Sequence, residues 1–150
     1  MLTAVLIAAA IMVPSQFYFS GLSDRVGRKQ IYRWGAILTG LWGFALFPLI
    51  NTSEPLMIVI AVTLGLTFLG MQYGPQAAYF TELFTTEVRY SGASLGYQIG
   101  AILGGALAPT IAVLLWNELG IFYVSVYILI AAILTLLSLS ALEETKGRTL

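Results

Sequence analysis

Five stretches of this chain contain no charged residue, and each is at least 20 residues long: 1–23, 34–53, 55–81, 90–117 and 119–142. An α-helix rises about 1.5 Å per residue, so about 20 apolar residues cross a hydrocarbon core about 30 Å thick. Each stretch can therefore span a bilayer as a helix. Inside lipid the backbone must satisfy its own hydrogen bonds, which leaves helices or closed barrels. No alternation of period two is present, and Leu, Ala, Ile and Gly dominate, so helices are expected. Composition agrees: 59% of the 150 residues are hydrophobic and 9% are charged, against roughly 25% charged in an average soluble domain. The expected fold class is an all-α membrane protein with five transmembrane helices in a single domain, residues 1–150. The spans are placed at about 2–20, 31–50, 56–80, 91–116 and 121–142. The lipid bilayer is the first partner. A formal net charge of zero argues against nucleic acid as another. No cleavable signal is expected, since no basic segment precedes the first run.

The charges between the spans are sorted by side. Five antiparallel spans place residues 24–33, residues 82–89 and the tail after Leu142 on one side, and these carry all seven Lys and Arg. The opposite links, "NTSEP" and "NELG", carry none. The positive-inside rule then puts the basic side in the cytoplasm, with the N-terminus outside and the C-terminus cytoplasmic.

Topology alone does not require the order of residues in these links. Asp24-Arg25-Val26-Gly27-Arg28-Lys29 resembles the loop signature G-x-x-x-D-R-x-G-R-R/K of the major facilitator superfamily. Ser20 stands where that pattern opens with Gly, and it is small enough for close helix packing. Glu82 and Arg89 in "ELFTTEVR" resemble the E-x6-R element of the next cytoplasmic link. The tail "EETKGR" is similar to the family's P-E-T-K-G, with Glu143 in place of Pro and Glu144 matching the family Glu. The stretch from Tyr73 to Pro109 looks like the metabolite:proton symporter branch.

The resemblance implies helices eight to twelve of a twelve-helix fold, a partial C-terminal six-helix bundle. It also implies a bacterial inner (plasma) membrane location and alternating access. The substrate would be a small organic acid or zwitterion, with a proton as coupling ion and no further cofactor or metal. The partner would be a missing N-terminal half, without which the chain is expected to be inactive. The cytoplasmic gating motif would comprise Asp24, Arg25, Gly27, Arg28, Lys29, Glu82, Arg89 and Glu144. Arg25 and Arg28 would pair with Glu82 and Glu144 and hold the outward-open state, while Asp24 would face the missing half.

Within the five charge-free stretches there is by construction no carboxylate, Lys or Arg, and such a group inside the membrane would be the default proton or substrate site. The chain has no His and no Cys, and no nucleophile stands beside a base, so an enzyme is not expected. Neutral polar residues remain. Gln72, Tyr73 and Gln76 on the third span, with Tyr97 and Gln98 on the fourth, are either substrate-pathway groups or interhelical hydrogen-bond partners. Gly92, Gly96, Gly100 and Gly104 recur every four residues, followed by Gly105. Residues four apart form one ridge, so this face is a trough that another helix can approach closely. It serves either static packing within the bundle or a sliding contact with the missing half. Pro14, Pro48, Pro75 and Pro109 each remove a backbone donor and are expected to interrupt or kink the first four spans. A second functional class stays open, a small membrane-embedded helix-interaction protein without transport activity.

Overall fold

The computed structural model describes residues 2–145, and these residues are helical with no strand among them. Lys146 and Arg148 of the tail lie outside the described residues. The elements are α1 (Leu2–Val26), α2 (Arg28–Asn51), α3 (Pro55–Glu82), α4 (Arg89–Ala101), a π-helical segment (Ile102–Ala106), α5 (Leu107–Leu119) and α6 (Ile121–Ala141). With α4, the π segment and α5 forming one traverse, five helices are long and apolar enough to cross a membrane.

The turns follow local chemistry. Gly27 alone separates α1 from α2, at φ 129° and ψ 136°. That is a backbone region a side chain makes costly. Its N–H closes α1 on the Ser23 carbonyl at 3.0 Å, and its carbonyl starts α2 by accepting from Ile31 at 3.3 Å. Pro55 opens α3 at the first helical turn, where a missing N–H costs nothing. Gly120, at φ 96°, caps α5 by donating to the Leu115 and Trp116 carbonyls. Pro14, Pro48 and Pro75 lie inside α1, α2 and α3, which continue through them. Regular α geometry is lost instead in the fourth traverse, in the turn just before Pro109. There the absent proline donor would leave the Gly105 carbonyl unpaired, and a π turn is one way to re-pair it.

α3 lies between α1 and α2, α2 also packs on α6, and α6 packs on α5. Lipid tails are as apolar as Leu, so helices associate through close contact of small residues rather than through burial of large ones. The buried apolar set accordingly includes Ala4, Ala8, Ala36, Ala61 and Ala132. α1 and α3 meet backbone to backbone: a Cβ on Gly74 would lie 2.7 Å from the Gln16 carbonyl oxygen and 3.0 Å from the Ser20 nitrogen. On α2, Gly35 faces Met71 and Gln72 of α3, while Gly40 and Gly43 face Ala132 and Ile128 of α6. Interhelical hydrogen bonds help pin these seams. Trp42 Nε1 donates to the Ala61 carbonyl at 3.0 Å, and Ser125 Oγ donates to the Gly43 carbonyl at 2.8 Å.

The fourth traverse differs, with no buried residue. Of its glycine ridge, only Gly92 meets a neighbour, the Phe84 ring. Gly96, Gly100, Gly104 and Gly105 have no heavy atom within 4 Å of where a Cβ would stand. Among the described residues the ridge beyond Gly92 is therefore an open face that no packing covers.

Candidate functional site

The charged residues converge where α1 hands over to α2. A helix start leaves its first N–H groups without intrahelical partners, and Gly27 has no side chain to cap them. Glu144, more than a hundred residues away in sequence, does so: its Oε1 accepts from the Arg28 amide at 3.0 Å and the Lys29 amide at 3.4 Å. A negative group there also complements the helix dipole. The carboxylate lies so close that a Cβ on Gly27 would stand 2.7 Å from Glu144 Oε2. The glycine is thus needed for its conformation and for the space it leaves.

Arg28 projects from the same turn into a ring of acceptors. Its Nε–H is shared between both carboxylate oxygens of Glu82, each at 2.7 Å. Its Nη1 pairs with Asp24 at 2.7 Å and donates to Ser23 Oγ at 3.3 Å. The two ion pairs differ in environment. The Asp24 side chain is 58% exposed, whereas Arg28 and Glu82 are 16% and 8% exposed. The Asp24 pair contributes about 0–1 kcal/mol, as surface pairs do. In the Arg28–Glu82 pair, removal of one partner strands a mostly buried charge. Glu82 also accepts from Thr145 Oγ1 at 2.5 Å, and Tyr79, one turn earlier on α3, donates its hydroxyl to the Glu143 carbonyl at 2.9 Å. Lys29 Nζ donates to the Leu142 carbonyl.

Six of the eight gating residues read from the sequence, Asp24, Gly27, Arg28, Lys29, Glu82 and Glu144, meet in this corner. Arg25 is exposed at its rim. Arg89 is half-buried, and its Nε has no hydrogen-bond partner among the described residues. The reading missed Ser23, Tyr79 and Thr145 as members of the corner. Tyr79 stands one helical turn before Glu82 and Thr145 is the Thr of the tail motif, yet neither position by itself names a partner 64 or 63 residues away.

The polar residues of the spans are dispersed. Gln72 Nε2 donates to Thr39 Oγ1 at 3.0 Å in the α2–α3 seam, which is the interhelical role. Gln76 is half-buried, Tyr73 and Tyr97 are about half exposed, and Gln98 is exposed. No hydrogen bond joins the α3 group to the α4 group among the described residues. An apolar cavity of about 780 Å³ opens between α2, α5 and α6, lined by Phe47, Pro48, Val113, Trp116, Ile121 and Val124 among others. Its lining holds no charged residue, and it lies at the end of α2 away from Arg28.

The family model of the Major Facilitator Superfamily matches residues 1–149. The chain belongs to this superfamily. It is 38% identical to the inner membrane metabolite transport protein YhjE of Escherichia coli, over 100% of this chain and 34% of that protein. It is 33% identical to the shikimate transporter of the same organism, over 69% of this chain and 26% of that protein. It is 27% identical to the proline/betaine transporter of Escherichia coli, over 97% of this chain and 30% of that protein. The chain thus spans about a third of the length of the relatives it matches. No solved structure gives a significant match. In this member of the major facilitator superfamily the Asp24–Lys29 loop, Glu82 at the end of α3 and the tail residue Glu144 form one junction of three chain segments.

Proposed function

We propose that this chain is most of the C-terminal half of a secondary active transporter, a proton-coupled symporter of a small organic acid or zwitterion in the bacterial inner membrane. The names of the relatives support transport of such metabolites. The observation that carries the mechanistic part is the junction at Arg28, which ties α1, α2, α3 and the tail at one end of the bundle. A carrier working by alternating access needs contacts that favour one state by a few kcal/mol and still break. An Arg28–Glu82 pair, an exposed Asp24 pair and Glu144 on the α2 amides form a clasp of that size. In this reading the basic end faces the cytoplasm, the N-terminus lies outside, and the clasp closes the inner end in the outward-open state. Substrate would pass Tyr73, Gln76, Tyr97 and Gln98 on the open side of α3 and α4, while Gln72 holds the α2–α3 seam. The open glycine face of α4 and the apolar cavity beside α5 and α6 are suited to a further helix and to the N-terminal half. The coupling carboxylate would be supplied from there, since the spans contain none.

The test is uptake. Labelled shikimate, proline and glycine betaine are offered to cells making this chain with and without the first seven helices of its transporter. Uptake only with both parts is the expected result, and none in either case removes the reading. Arg28 and Glu82 are tested by a double-mutant cycle on thermal stability and transport, where additive effects would remove the clasp. The uncovered ridge at Gly96, Gly100 and Gly104 also favours a second reading, an interaction protein that packs this face on other membrane helices. Recovery of the chain in a stable complex without any transport would favour it.

A further inference from the structure

The residues that hold the tail most deeply are uncharged. Beyond α6 the backbone turns extended at Leu142, with φ −95° and ψ 151°. The next three residues run along the ends of α2 and α3. Thr145 is 1% exposed and Tyr79 is 0% exposed, although both stand among charged residues at the end of the bundle. The four tail residues are each held by a different group. Lys29 Nζ takes the Leu142 carbonyl, Tyr79 Oη takes the Glu143 carbonyl, the Arg28 and Lys29 amides take the Glu144 carboxylate, and Thr145 Oγ1 donates to Glu82. These partners belong to α2 and α3, so the contacts stitch the exit of α6 onto its neighbours.

We propose that residues 142–145 are a releasable strap, seated by Tyr79, Thr145 and the Gly27 notch, and that its seating sets how long the charged corner stays closed. The proposal rests on the clasp reading above and adds the part that ion pairs do not explain. Release would uncover the Tyr79 hydroxyl, the first amides of α2 and one oxygen of Glu82 together. Groups that share partners in this way loosen together, because each left alone is a buried polar atom without a mate. The Tyr79 bond joins a hydroxyl to a backbone carbonyl, and neither group carries a charge for salt to screen. That contact is therefore expected to persist where exposed ion pairs weaken.

Lys146 follows the strap directly, so trypsin cleavage there, followed by mass spectrometry on the full chain in lipid nanodiscs, reads release. Tyr79→Phe keeps the ring and removes only the hydroxyl. It should speed cleavage at Lys146 about two- to tenfold, the equivalent of one hydrogen bond. Gly27→Ala, which pushes on Glu144, should do the same from the other end of the seat. Cleavage at Arg33 and Arg89 should not change. Unchanged cleavage at Lys146 in both variants overturns the strap, as does equal acceleration at all three sites, which would mean general unfolding. Either result leaves the Arg28–Glu82 cycle free to succeed, and a failed cycle with accelerated Lys146 cleavage would fault the clasp and not the seating.

Discussion

At the residue scale, the junction rests on two positions with different chemistry. Arg28 is irreplaceable by charge alone, because its Nε bridges Glu82 while its Nη1 serves Asp24 and Ser23. Lys has no such fork. Arg28→Lys is expected to lower the melting temperature, and Arg28→Ala to lower it further, by about 1–3 kcal/mol of lost stability, since Glu82 is left buried without its cation. Thermal unfolding in nanodiscs measures both, and equal melting temperatures for the three proteins would refute the assignment. Much of this corner was legible in the sequence because its residues stand in a fixed local order, Asp24 to Lys29. Tyr79 and Thr145 were not picked out for it, because their partners lie 64 and 63 positions away. Such pairings are set by where α3 and the tail end, which spacing along the chain does not reveal.

At the scale of elements, glycine has opposite consequences in different helices. Gly74→Ala would drive a Cβ into the backbone of α1, and backbone cannot swing aside as a side chain can. A cost of about 1–3 kcal/mol follows from such overpacking. Gly100→Ala meets no described atom and should stabilise the isolated chain by about 0.5–1 kcal/mol through helix propensity. Unfolding of the two variants side by side checks the sign, and a loss of stability at Gly100 would show that its face is covered. The regular four-residue ridge of α4 was the conspicuous sequence signal. The seams that hold the bundle run instead through Gly35, Gly40 and Gly43 on α2 and the single pair Gly70 and Gly74 on α3, with no sustained repeat. A glycine's contact depends on which helix lies across from it, and one strand of sequence carries that information only indirectly. The traverses themselves were legible, because charge is excluded from hydrocarbon whatever the neighbours are.

At the scale of the whole molecule, the basic links gather at one end, and the chain has no cysteine of its own. Single reporters at Arg33→Cys and Ser53→Cys should therefore react with a membrane-impermeant thiol reagent from opposite sides of oriented vesicles. Labelling of both from one side would overturn the five-traverse arrangement and with it the proposed orientation. The π segment at Ile102–Ala106 has a further consequence for the same molecule. Its hydrogen bonds reach one residue farther than those of an α-helix, so it stores a surplus residue midway along the fourth traverse. Each residue turns an α-helix by about 100°. Passing that surplus along the traverse would swivel α5 about its own axis while α4 stayed still, at the cost of the Gly105 carbonyl, to which Pro109 offers no donor in regular α geometry.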